Sequence, residues 1–233
     1  MAIIAANLQA VHERIAQAAI AAARAPDSVH LLAVSKTFGA AEVTAAWQAG
    51  QRAFGENYVQ EAVGKVTGLA HLAIEWHFIG PLQGNKTRPI AEHFAWVHSI
   101  EREKIAVRLN AARPAHLPPL NVLIQVNISG EASKSGVVPG AERALAAAIG
   151  RLPRLRLRGL MAIPEPTPDV SVQRARYALL RRLQEGLHAD DAGIDTLSMG
   201  MSDDLEAAIA EGATIVRVGT AIFGARKTVK PEA

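Results

Sequence analysis

Short apolar runs alternate along this chain with longer stretches in which apolar residues return every three or four positions. The first long stretch, residues 4–23, sets Ile4, Leu8, Val11 and Ile15 on one face, the spacing of an amphipathic helix. After Pro26 the short runs begin: HLLAVSK (30–36), RAFGEN (52–57), EWHFIG (75–80) and AWVHSI (95–100). They continue with LNVLIQVN (120–127), LRLRGLMAI (155–163), IDTLSMG (194–200) and ATIVRVG (213–219). Between the runs the helical spacing predicts helices over 40–49, 101–112, 141–151, 170–188 and 203–211. Several runs are apolar at consecutive positions, so both faces of those strands need cover, as in parallel strands under helices.

Eight strand–helix units of about 25 residues predict a closed (β/α)8 barrel of the TIM type with an extra N-terminal helix. The rival is a doubly wound open sheet, which usually carries GxGxxG in its first turn. Here that turn reads SKTFGA. No linker or internal repeat divides the chain. The expected organisation is one domain over residues 1–226 and a flexible tail over 227–233. RPAHLPPL (113–120) reads as a helix-to-strand connection and IPEPTPD (163–169) as a loop after the sixth strand.

Composition narrows the functional classes. With 49% hydrophobic residues the 233-residue chain can bury a large core, and only 4% aromatics in an alanine-rich sequence favours close-packed helices. Cysteine is absent, which excludes disulfides and thiolate chemistry and fits a reducing cytosol. The opening MAIIAANLQAVHER lacks a basic n-region and is broken by His12, Glu13 and Arg14, so no signal peptide is expected. No apolar run approaches the roughly 20 residues of a membrane span. A soluble, cytoplasmic protein is expected. Net charge is only +3, and the densest basic group, Arg151 to Arg158, alternates with leucine. That pattern reads as a strand with one solvated face, not as a nucleic-acid surface.

In such a barrel the carboxyl ends of the strands face the functional mouth. The first ends at Lys36, whose amine, partly desolvated there, would attack an aldehyde and form a Schiff base; a lysine snorkelling to solvent is the plain alternative. The second ends near Asn57, which either binds a ligand or caps the next helix. His77, inside the third run, reads as a satisfied core histidine. The fifth opens into Ser129–Gly136, a mobile lid or a plain surface loop whose one cation is Lys134. The last two ends carry Ser202, read as a helix N-cap, then Arg217, Gly219 and Thr220. Loops after strands seven and eight are the usual phosphate site of these barrels, so a hydroxyl at Ser202, close backbone approach at Gly219 and a hydroxyl at Thr220 together favour a phosphate ligand. Metal spacing such as HExxH, a GxSxG elbow and a Walker loop are all missing, and Asp203 and Asp204 are adjacent, so they point apart on a helix.

These residues resemble a known family, the pyridoxal phosphate homeostasis proteins of the YggS/PROSC type. The resemblance runs through AVSKTF, FGENYVQE, WHFIGPLQGNK, VNISGEASKSG, GLMAIP, LSMGMSDDLEAAI and VRVGTAIFG, in order and over nearly the whole chain. It implies a monomeric alanine-racemase-like barrel carrying pyridoxal 5'-phosphate on Lys36, with Ser202, Gly219 and Thr220 at the phosphate, Arg217 facing the pyridine nitrogen and Asn57 near the cofactor. It also implies a carrier that buffers the cofactor and meets cofactor-requiring apo-enzymes transiently, without catalytic residues of its own. A small amino-acid racemase is the alternative. The chain ends nine residues after Gly224 and has only Tyr58 and Tyr177, so neither a C-terminal β-domain nor an obvious second base is expected.

Overall fold

A computed structural model describes residues 2–131 and 135–225 of the chain. Helix α1 (Ala2–Ala21) precedes the strand–helix series, and Ala23, with a positive φ of 54°, turns the chain away from it. There follow β1 (His30–Val34), α2 (Ala40–Gln48), β2 (Ala53–Glu56), α3 (Val59–Gly68), β3 (Glu75–Phe78), α4 (Thr87–His93), β4 (Trp96–Ile100) and α5 (Glu103–Ala112). The second half runs β5 (Leu120–Gln125), α6 (Glu142–Ile149), β6 (Leu155–Met161), α7 (Val170–His188), β7 (Thr196–Ser198), α8 (Leu205–Ala210), β8 (Ile215–Val218) and α9 (Thr220–Phe223).

All neighbouring strands pair in parallel in chain order, and β1 closes on β8 with Leu32 opposite Arg217 and Ala33 opposite Val218. The (β/α)8 barrel expected from the pattern is therefore the architecture observed. Each of the eight apolar runs supplies one strand. Helices α3 and α4 were not among those predicted from spacing. The first carries Gly64 and Gly68, and the second is short with Pro89 in its first turn, where a missing N–H costs little.

Two kinds of core result. Between barrel and helices lies one continuous apolar layer that includes Phe54, Phe78, Leu109, Ile124, Leu160 and Tyr177, all fully buried. Full burial of each aliphatic side chain stabilises by about 1.5–3 kcal/mol. Inside the barrel the buried apolar residues among those described form two small groups, Leu32, Val34, Ile79 and Ile215, and Trp96, Leu123 and Met161. Polar side chains take up other interior positions. His98 on β4 reaches Ser198 on β7 at 2.9 Å, a bond between non-adjacent strands that has to cross the barrel interior.

Candidate functional site

Lys36 follows the end of β1, and its backbone is held on both sides. The buried Lys65 ammonium donates to the Ser35 carbonyl (2.9 Å), to Glu56 Oε1 (2.6 Å) and to Glu61 Oε1 (2.9 Å). Ser35 Oγ donates to the same Glu56 oxygen at 2.6 Å, and the Thr37 N–H donates to Glu61 at 2.8 Å. Burial pushes the Glu56 carboxyl up, against the pull of Lys65. Thr37 adopts a positive φ of 69°, a conformation that costs a non-glycine residue on the order of 1 kcal/mol. These contacts fix where the chain turns after Ser35, and so where the lysine leaves the barrel rim.

The Lys36 side chain lines a cavity of about 620 Å³ at the carboxyl end of the strands, a volume suited to a small cofactor. Asn57, Ser202, Arg217, Gly219 and Thr220 line the same cavity, so all six residues singled out in the sequence come together. Two of them stand differently from expectation. Asn57 does not cap α3, whose N-cap is Tyr58; instead its Oδ1 is buried without a hydrogen-bond partner. Ser202 is not the cap of α8. That position belongs to Asp204, because the chain makes a turn over 202–204 before the helix begins. Asp204 organises this turn: its carboxylate accepts from the Met201 N–H at 2.6 Å and from the Tyr177 hydroxyl at 2.7 Å.

Close backbone approach shapes the rim at two glycines. A Cβ on Gly80 would lie 2.2 Å from the Asn57 carbonyl oxygen, so only glycine lets the end of β3 pass Asn57. A Cβ on Gly219 would meet the Val34 carbonyl oxygen at 3.0 Å, which ties the end of β8 closely to the end of β1. Phe38 stacks on Phe223 at 5.0 Å and joins the Lys36 loop to the α9 segment. The N–H groups of Thr220 and Ala221 open the first turn of α9 and have no acceptor within the helix.

Arg217 is buried, and its guanidinium has only neutral partners: Ser198 O (2.6 Å), Ser198 Oγ (2.8 Å) and Ala162 O (2.8 Å). Burial lowers its pKa from the usual arginine value. Among the described residues no carboxylate forms an ion pair with it, so the cavity holds a cation whose charge is not directly cancelled.

Sequence reasoning missed Arg14. This α1 side chain lines the cavity, donates to the Ser202 carbonyl at 2.7 Å and forms a two-pronged pair with Glu206. Nothing in a lone arginine on a helix face marks it; only the docking of α1 against α8 does. Lys134 lies outside the described residues. The flanks of its loop are tied down: Ser129 Oγ accepts from the Glu165 N–H, Asn127 bonds both the Gly130 N–H and the Glu131 carbonyl, and the Gly136 N–H reaches Glu101.

Among known proteins, residues 6–227 match the alanine racemase N-terminal domain family. A pyridoxal phosphate homeostasis protein of Pseudomonas aeruginosa is 64% identical over 226 residues, which span 97% of each chain. The solved structure of PipY of Synechococcus elongatus with pyridoxal phosphate bound is 36% identical, with a TM-score of 0.82 over 95% of this chain and all of that one. An alanine racemase from Corynebacterium glutamicum, 17% identical with a TM-score of 0.72, shares the fold over 99% of this chain and 63% of its own. The closed barrel, its strand-one lysine and identity of this extent along nearly the full length place the chain among the pyridoxal phosphate homeostasis proteins, within the alanine racemase N-terminal domain family.

Proposed function

We propose that this protein binds pyridoxal 5'-phosphate in the carboxyl-end cavity, attached covalently through Lys36, and acts as a monomeric cytoplasmic carrier that buffers the cofactor and passes it to apo-enzymes. The observation that carries this reading is the convergence of Lys36, Asn57, Ser202, Arg217, Gly219 and Thr220 on one cavity. The donor set fits such a ligand. A buried cation without a counter-ion suits an anionic aromatic ring system, and the orphaned Asn57 Oδ1 offers an acceptor. When bound, the cofactor would supply an aldehyde for attachment and a ring able to accept electrons.

Each residue then has a task of its own. Ser202, Thr220 and the N–H groups beside Gly219 hold the phosphate, and Arg14 braces the Ser202 carbonyl from behind. Arg217 donates a hydrogen bond towards the ring nitrogen and keeps its own proton, since a guanidinium does not give one up. A ring held in that way is a poorer electron sink than one facing a carboxylate, which favours storage over turnover. Neither tyrosine serves as a second base. Tyr58 is 54% exposed and does not line the cavity, while the Tyr177 hydroxyl donates to Asp204 and is pushed up by burial. Residues 1–226 work as the single functional unit.

Two assays test the reading together. Loaded protein mixed with a cofactor-requiring apo-enzyme should restore that enzyme's activity. With L-alanine in deuterated water it should give no more than a trace of Cα exchange. Rapid exchange with formation of D-alanine would make the racemase reading the correct one.

A further inference from the structure

The barrel interior holds an unbroken line of polar contacts. Arg217 Nη1 meets Ser198 Oγ at 2.8 Å, Ser198 Oγ meets His98 Nδ1 at 2.9 Å, His98 Nε2 meets His77 Nδ1 at 2.9 Å, and His77 Nε2 meets Glu75 Oε1 at 2.9 Å. Four of these five side chains are buried, and Glu75, at 52% side-chain exposure, opens into a second cavity at the amino ends of the strands. The direction of the line follows from its ends. Arginine can only donate, and a carboxylate can only accept. A hydroxyl can accept from two neighbours at once, so the carboxylate end decides: Glu75 takes the His77 Nε2–H, and with both rings neutral the Ser198 proton goes to His98 Nδ1. His98 must then carry its hydrogen on Nε2 and donate to His77, and His77 must carry its own on Nε2 and donate to Glu75. Every bond is satisfied with both imidazoles neutral.

Burial supports that state, lowering the His77 pKa and lowering that of His98 well below the ordinary imidazole value. The hydrogen bond from His77 holds the Glu75 carboxyl below its usual value, so it is an anion at neutral pH. His77 is fixed further by stacking on Trp96 at 5.4 Å, nearly parallel. His30, Arg52, Arg158 and Asp195 share the lower cavity with Glu75, and Arg158 and Asp195 pair with each other.

We propose that Ser198, His98, His77 and Glu75 are positioning residues: a one-directional hydrogen-bond relay that orients Arg217 and transmits the charge on Glu75, at the lower cavity, to the guanidinium in the upper one. Chains of this kind polarise one another in a low-dielectric interior, so removing the terminal charge weakens each bond along the line. The effect on cofactor rests on Arg217 facing the ring nitrogen, as set out above; the relay itself does not.

Nitrogen-15 NMR separates the two. In the cofactor-free protein at neutral pH, His77 and His98 should both show the neutral form with the proton on Nε2. Glu75→Gln keeps an acceptor oxygen but removes the charge. It should shift the Arg217 guanidinium resonances. Ser198→Ala, which cuts the line in the middle, should make Arg217 insensitive to the Glu75→Gln change. An imidazolium or an Nδ1–H tautomer at His98, or Arg217 resonances unmoved by Glu75→Gln, overturns the relay. In loaded protein the same variant should shift the cofactor's ring-nitrogen resonance. If the Arg217 signals move and that resonance does not, Arg217 does not face the ring, and the cofactor reading fails while the relay stands.

Discussion

The two ends of the barrel offer cavities that differ in size and in the residues that line them. The lower one, about 890 Å³, is the larger; in it Arg158 pairs with Asp195, Glu75 accepts from His77, Arg52 donates only to backbone carbonyls, and no lysine lines it. The upper one, about 620 Å³, gathers Lys36, the orphaned Asn57 oxygen, and an arginine held only by neutral groups. Volume alone would favour the lower end. The difference teaches that unpaired polar atoms alone do not mark the upper end, since Ser28 and Trp96 leave such atoms at the lower one; what sets the upper end apart is a lysine lining the same cavity as a buried arginine.

That contrast can be broken in several ways. The largest effect should come from the ligand itself. Pyridoxal without its phosphate forfeits several charge-assisted bonds of about 1.5–3 kcal/mol each, so its affinity should fall by at least about a hundredfold. Titration of the visible band with each aldehyde measures this, and equal affinities would remove the phosphate site. Next, Gly80→Ala forces a Cβ against the Asn57 carbonyl and should cost about 2–3 kcal/mol in denaturant unfolding, with weaker cofactor binding besides. A substitution tolerated without loss would show that the rim is not shaped by that approach. Thr220→Val removes one phosphate donor and should weaken binding by about tenfold. An unchanged dissociation constant would assign the phosphate to other residues.

The smallest effect concerns the interior. His77 and His98 have folded-state pKa values lowered by burial, so the unfolded chain binds protons that the folded one does not. Their contribution to stability is present above the ordinary value of 6.5 and is lost as pH falls below it, by up to about 1.4 kcal/mol per pH unit for each histidine that stays neutral. Glu56, raised by burial, acts with the opposite sign above its ordinary value of 4.5. Replacing His98 by Gln should therefore flatten the loss of stability between pH 7 and pH 5.5, measured by chemical denaturation at each pH. An unaltered slope would mean that His98 takes up protons as readily in the fold as in the unfolded chain.

The outer frame was legible in the sequence because parallel strands buried on both faces leave continuous apolar runs, and eight runs in series admit few arrangements. Lys36, Gly219 and Thr220 were legible for a related reason: the barrel puts the residues that follow each strand at the mouth, and Arg217 lies inside β8 just before that end. Ser202 was found by position but assigned the wrong local role, since the Asp204-centred turn that displaces it depends on Tyr177, 27 residues earlier. What stayed hidden was everything made by contact across the barrel. Arg14 gains meaning only through Ser202 and Glu206, and His98 only through Ser198, 100 residues away. His77 was read as a satisfied core histidine, and its two bonds bear that out, although no local pattern could show that it forms part of a line.

Attachment at Lys36 is the central claim, and borohydride trapping tests it most directly. Protein loaded with pyridoxal 5'-phosphate, reduced and digested, should carry the label on the peptide containing Lys36, and Lys36→Ala should lose both the yellow colour and the label. Full colour and a reducible label in the Lys36→Ala protein would contradict it.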